Sequence, residues 1–180
     1  MDAFENIVAK YLEATGFWIR RSVKVNLTKE HKRTIKKHSM PRPEIDLVAL
    51  NFKTNTLLLV EAKSYIDSPG VQFSGVSGGS LKDAKRYKLF TDNVARRIIS
   101  KQLLKEYVAM GLANAETKVN YALVAGHVKR GDEPAIRKYF NKRGWYFVPP
   151  SDLRSKILEL AKSNWEDDEI TITAKIALRE

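Results

Sequence analysis

Leu57-Leu58-Leu59-Val60-Glu61-Ala62-Lys63 is the stretch on which the fold and the chemistry of this chain turn. Four apolar residues in a row read as a buried strand, and the run ends abruptly in a carboxylate and an ammonium. Side chains two apart on a strand share a face, so Glu61 and Lys63 point the same way. Two charges leaving a buried strand side by side are costly unless they are paired or bound to something.

Just upstream, Pro43-Glu44-Ile45-Asp46 opens a second predicted strand, Ile45 to Leu50. Asn51-Phe52-Lys53-Thr54-Asn55 reads as a tight turn that folds this strand back against Thr56 to Lys63. An antiparallel pair brings Asp46 near Glu61. Two carboxylates and a lysine at one strand end suit a hard cation and a water beside a phosphate.

Outward from this hairpin the pattern alternates between helix and strand. Asp2 caps a helix whose apolar face is Phe4, Ile7, Val8, Tyr11 and Leu12, and Gly16 stops it. Phe17 to Val25 is a predicted strand, and Asn26 to Arg42 is polar, basic and weakly patterned. Ser68 to Ser80, rich in Gly and Ser, reads as a flexible connection. Leu81 to Met110 follows helical spacing, with Ser80 as a cap and Thr91-Asp92-Asn93 as a break, and Gly111 ends it. Lys118 to Ala125 is a strand; Asp132 caps a helix to Lys142; Trp145 to Val148 is a short strand; Ser151 caps a helix to Ala161. Ile170 to Leu178 suits either a strand or a helix. The order α-β-β-β-α-β-α-β-α predicts an α/β fold, a mixed β-sheet flanked by helices on both faces.

The 180 residues suffice for one domain burying roughly 70% of its unfolded surface. The expectation is a single domain over residues 1–180, with the motif core in 2–125 and an α/β extension in 126–180. The chain has no cysteine, which excludes disulfides, thiolate catalysis and cysteine-ligated zinc. No apolar run is long enough for a membrane span. Met1-Asp2-Ala3-Phe4-Glu5 lacks the basic start of a secretory signal, so a cytoplasmic location is expected. The formal net charge of +11 makes nucleic acid the leading partner. His31, His38 and His127 have no metal-ligand spacing, and Trp18, Trp145 and Trp165 read as core residues.

Asp46 followed by Glu61-x-Lys63, in this order of elements, resembles the PD-(D/E)XK nuclease superfamily and, within it, archaeal-type Holliday junction resolvases and related restriction-endonuclease-like proteins. In those relatives a glutamate on the first helix precedes a Gly-Phe pair, as Glu5 precedes Gly16-Phe17 here, and the Asp46-Leu47-Val48-Ala49 run is also similar. The chain departs from the pattern in two places. The aspartate lies further from Pro43 than the superfamily name implies, which leaves Glu44 as an alternative ligand. Asp83 stands where exonuclease relatives carry a glutamine before a tyrosine, here Tyr87.

The resemblance implies a Mg²⁺-dependent DNA endonuclease, with Mn²⁺ as a substitute ion. Asp46 and Glu61 would hold the metal, the Ala62 carbonyl would be a third ligand, Lys63 would orient a water or offset charge, and Glu5 would position the metal or a water. Glu5 also completes a capping box with Asp2, and Glu61 and Lys63 also suit a plain ion pair. DNA contacts are expected from Arg20, Arg21, Lys24, Lys29, Lys32, Arg33, Lys36, Lys37 and Arg42 before the motif strand. Lys82, Lys85, Arg86, Lys88, Arg96 and Arg97 form a second basic set, in which the spacing puts Lys82, Lys85 and Arg86 on one helix face. Two matched cuts need two active sites, which points to a homodimer. A binding module without catalysis, an RNA-cleaving enzyme and a subunit of a larger DNA-processing complex remain open at this level.

Overall fold

The computed structural model describes residues 2–164 and 166–179. Its strands are β1 (Trp18–Lys24), β2 (Glu44–Asn51), β3 (Thr56–Lys63), β4 (Lys118–Ala125) and β5 (Tyr146–Val148). They form one open sheet in the order β1-β2-β3-β4-β5. The first two pairings are antiparallel and the last two parallel, so the sheet is mixed. The switch falls at β3, because β2 reaches it through a short turn whereas β4 follows a helical crossover.

Helices cover both faces. On one side α1 (Ala3–Glu13) and α8 (Pro150–Lys162) bring Phe4, Val8, Leu12 and Leu153 onto Leu47, Ala49, Leu58 and Val60. On the other, α6 (Asn93–Ala109) and α7 (Glu133–Asn141) bring Leu103, Tyr107, Ile136 and Phe140 onto the face of Val48, Leu50, Leu57 and Leu59. β3 is apolar at every central position because both its faces are covered. Burying each such leucine is worth about 1.5–3 kcal/mol.

Several stretches differ from their sequence reading. The polar run after β1 contains a short helix, α2 (Lys29–Thr34), capped by Thr28 and anchored by buried Ile35. The Gly/Ser connection is an ordered, packed segment rather than a loose one. Val71 and Val76 are fully buried, Val71 bridges to Val128, and α3 (Phe73–Val76) forms within it. Gly70 is required there: its φ is +86°, and a Cβ would meet Lys129 N at 2.8 Å. The long helical run is three helices, α4 (Leu81–Ala84), α5 (Lys88–Thr91) and α6, the last capped by Asp92. Proline at its first position lets α8 start before Ser151, which lies inside the helix and does not cap it. Ile170 to Leu178 resolves as helix α9 (Glu169–Ala177), capped by Asp168. Lys10 of α1 is buried against Glu166 and Asp168. Trp18 is not a core residue: on edge strand β1 it is 43% exposed. Trp145 is half-buried, and Trp165 lies outside the described residues. Among the described residues no helix is long and apolar enough to cross a membrane.

Candidate active site

The ladder between β2 and β3 runs from Asn51 opposite Thr56 to Leu47 opposite Val60, and there it stops. Asp46 and Glu61, next in register, do not pair with each other although Asp46 still belongs to β2, and Glu61 keeps its register with Leu123 of β4. On the far side of β2, Ser22 of β1 stands opposite Asp46 and takes a left-handed φ of 50°. The parting of the strands deprives the Ala62 N–H of a backbone acceptor, and a buried N–H needs one. The Asp46 carboxylate takes that place, its Oδ2 accepting from Ala62 N at 2.9 Å. The Lys63 carbonyl accepts from Gly126 N at 2.8 Å on the β4 side. Successive peptide groups of a strand face opposite edges, so the Ala62 carbonyl faces the gap beside Asp46.

Lys63 closes the cluster. Its ammonium pairs with Glu61 and stands 4.0 Å from Asp46 Oδ2. All of these side chains are only about one-fifth exposed, at 23% for Asp46 and 19% for Glu61 and Lys63. Burial raises the pKa of Glu61 and of Asp46 above the ordinary carboxylate range, against the opposing pull of Lys63. Burial works against the charge on Lys63, but Glu61 and Asp46 outweigh it and the ammonium is held above its ordinary value.

Glu5 reaches this cluster from the first turn of α1. Its backbone N–H donates to Asp2 Oδ1 at 2.8 Å, as the capping reading expects. Its carboxyl is pushed up by burial and then by the charge of Asp46. Glu5 Oε2 is buried with no hydrogen-bond partner among the described residues. Glu44, the alternative ligand, is exposed and pairs with Lys24 at 3.9 Å, and it lines the cavity that opens beside Glu61. Tyr65, unnoticed in the sequence, adjoins Lys63 with a left-handed φ of 44°. It also lies beside Tyr87, whose phenol is raised by burial, by Tyr65 and by Glu61.

Among the described residues no group of three or more His, Cys, Asp and Glu side chains forms a metal cage. Mg²⁺ does not need one, being held by one or two carboxylates together with waters and substrate phosphates. Asp46, Glu61, the Ala62 carbonyl and the unpartnered oxygen of Glu5 are all hard donors, so the donor set fits such an ion. His127 is not part of it, since its Nδ1 engages the Tyr65 and Ser68 carbonyls.

A cavity of about 400 Å³ opens beside Glu61, walled by Lys37, Arg42, Lys85, Arg86, Lys88 and Arg96. A second, of about 580 Å³, shares Lys37, Lys85 and Lys88 and adds Lys82. Residues from the two basic stretches therefore meet at one surface. Other members of the first stretch lie elsewhere. Arg21 pairs with Glu13 and Lys24 with Glu44, while Arg20 stacks on Tyr107. Lys29, Lys32, Arg33 and Lys36, in and just after α2, line neither cavity.

No known family model matches the chain, and comparison with curated proteins and with solved structures gave no match.

Proposed function

We propose that this chain is a Mg²⁺-dependent DNA endonuclease with a restriction-endonuclease-like fold. The observation that carries the reading is the Asp46 hydrogen bond to Ala62 N at the point where β2 and β3 part. It gathers two buried carboxylates and a lysine at one strand end, facing a cavity with a basic wall.

Asp46, Glu61 and the Ala62 carbonyl would hold the metal. Bound there, the ion would lower the pKa of a water and neutralise charge on the phosphate. Lys63 donates hydrogen bonds from Nζ and holds the attacking water, or the phosphate oxygen that gains charge. Its position between two carboxylates keeps it protonated for that task. Glu5 orients a water through Oε2, the oxygen that no donor occupies among the described residues. Lys37, Arg42, Lys82, Lys85, Arg86 and Lys88 grip phosphates without reading bases.

The test is a Mg²⁺ cleavage panel of four-way junction, duplex, flap and single-stranded DNA, with an RNA duplex alongside. Cutting of a DNA substrate that is lost in Lys63→Ala and Asp46→Ala is expected. Intact cutting in either variant, or none by the wild-type protein on any substrate, overturns the reading. Cutting of the RNA duplex alone would assign the same site to RNA.

A further inference from the structure

Arg96 belongs to three concave surfaces at once. It helps to wall the cavity beside Glu61. It also lines a groove of about 520 Å³ with Arg97, Lys101 and Tyr121, and one of about 460 Å³ with Tyr139, Arg143 and Trp145. The outer grooves therefore adjoin the cavity beside Glu61, with Arg96 lining all three. That side chain is fixed in place. Its guanidinium donates to the Leu89 and Phe90 carbonyls at 3.2 Å each and to Asn93 Oδ1 at 2.6 Å, and it lies 4.6 Å from the Trp145 ring centroid.

Beyond Arg96 the surface is cationic and aromatic with no opposing charge. Neither outer groove is lined by an acidic residue. Among the described residues Arg97, Lys101 and Arg143 form no salt bridge. Arg143, itself exposed, lies 3.6 Å from the Tyr139 ring centroid and 5.6 Å from that of Trp145. Covering the aromatic core would explain the stacking of Arg96. It accounts for Arg143 in the same way, but not for Arg97 and Lys101, which line an open groove and form no salt bridge among the described residues.

We propose that the grooves are a subsite for a single-stranded segment of DNA leaving the cleavage cavity. Arg97 and Lys101 hold its phosphates, and an unpaired base stacks on the exposed guanidinium of Arg143, which covers the Tyr139 ring. The inference rests on the nuclease reading and narrows its substrate class to DNA with a single-stranded portion. Bases inside a duplex are stacked on both faces, whereas the bases of a single-stranded segment unstack and offer a face to a guanidinium plane or an aromatic ring. The larger of the two volumes and the smaller both fall within the roughly 300–1,000 Å³ of small-ligand clefts.

The experiment measures binding of three fluorescent DNAs in EDTA: a blunt duplex, the same duplex with a single-stranded overhang, and the overhang strand alone. The wild-type protein is expected to prefer the overhang substrate to the blunt one by about tenfold, the scale of one stacked base with its phosphates. Arg143→Gln, an exposed substitution, and the double variant Arg97→Gln/Lys101→Gln should each reduce the preference while leaving blunt-duplex affinity within about twofold. Thermal melts establish that the variants fold. Equal affinity of the wild type for blunt and overhang DNA, an unchanged preference in both variants, or a uniform loss on all three DNAs overturns the subsite. Binding is read without cleavage, so a wild-type protein that fails to cut DNA overturns the nuclease reading while this result still decides the subsite.

Discussion

The two ends of the β2–β3 pair are built from the same strands and behave in opposite ways. At the turn end, Asn51 Oδ1 accepts from Thr54 N at 3.0 Å. Asn55 donates to Asn114 Oδ1 at 3.1 Å and accepts from Thr117 Oγ1 at 2.7 Å. These hydrogen bonds join uncharged groups that satisfy one another. At the other end the ladder stops early, a carboxylate replaces a backbone acceptor, and the neighbouring charges are buried. Burial pushes both carboxylates toward their neutral forms there. The leucines between the two ends hold the pair together, so the fold can sustain one end that works against its own stability. An end that is electrostatically uncomfortable by itself is one prepared for something from outside.

The largest expected difference is in cleavage. Asp46→Ala and Lys63→Ala should each lower the Mg²⁺-dependent rate by about 10³-fold, the scale of removing one charge-stabilising group from a reacting centre. Asn55→Ala, at the turn end, should leave the rate within about twofold. Single-turnover cleavage of the best substrate in the panel checks both, and a comparable fall in Asn55→Ala would erase the contrast.

Next comes salt dependence, because the cavity at the open end has a basic wall. Replacing Lys37, Lys82, Lys85 and Lys88 together by alanine should flatten the slope of log affinity against log salt by about 3–4, at roughly 0.9 for each phosphate that a lysine no longer neutralises. The same number of lysines replaced in or near α2 and at the end of α8, Lys29, Lys32, Lys36 and Lys162, should change it less. Anisotropy titrations over a series of salt concentrations distinguish the two.

The contrast between the ends is also a contrast in legibility. β3 and β4 are readable to the residue, since Thr56 to Lys63 and Lys118 to Ala125 carry unbroken strand patterns. Asp46, Glu61 and Lys63 are readable as a group because a short turn fixes antiparallel register and so fixes which residues meet. The early end of the ladder is not, because it depends on a left-handed Ser22 and on a side chain standing in for a main-chain acceptor. The second basic set reads equally well as a solvated helix face, and the shared face that its spacing predicts does not form, because α4 ends at Ala84 and leaves Lys85 and Arg86 in the turn after it. Buried Val71 and Val76 ahead of that segment and buried Tyr87, Leu89 and Phe90 after it anchor it to the core, which its charges alone do not reveal. The Gly/Ser connection misleads for a related reason: Gly70 marks a close approach of two backbones, which the sequence presents identically to looseness.

A stability measurement probes the turn end alone. Asn55 holds φ +49°, which asparagine tolerates and alanine does not, and its amide ties the turn to Asn114 and Thr117 just ahead of β4. Asn55→Ala should cost about 1–2 kcal/mol in urea unfolding. Asn55→Gly should recover the backbone part of that loss while still lacking the hydrogen bonds.

The smallest expected effect is in pH dependence, and it belongs to the open end. A carboxyl whose pKa is raised by folding binds more protons in the folded chain than in the unfolded one. Stability therefore falls as pH rises from about 4 through the raised values of Asp46 and Glu61. Asp168 acts in the opposite sense. Burial opposes its charge, but hydrogen bonds from Thr171 and the nearby Lys10 hold its carboxyl low, so its contribution is present at higher pH and lost on acidification. Subtracting variant from wild type removes that background. Asp46→Asn keeps an acceptor for Ala62 N but has no charge to bury, so its melting curve should decline less between about pH 4 and 7 than the wild type's. Asn55→Gly should decline in parallel with the wild type. Adding Mg²⁺ at neutral pH should recover stability in the wild type, because an ion that binds only the folded state stabilises it by mass action, and should do so less in Asp46→Asn. Parallel pH profiles for wild type and Asp46→Asn would mean that the open end carries no electrostatic cost, and the two ends of the strand pair would then differ in shape alone.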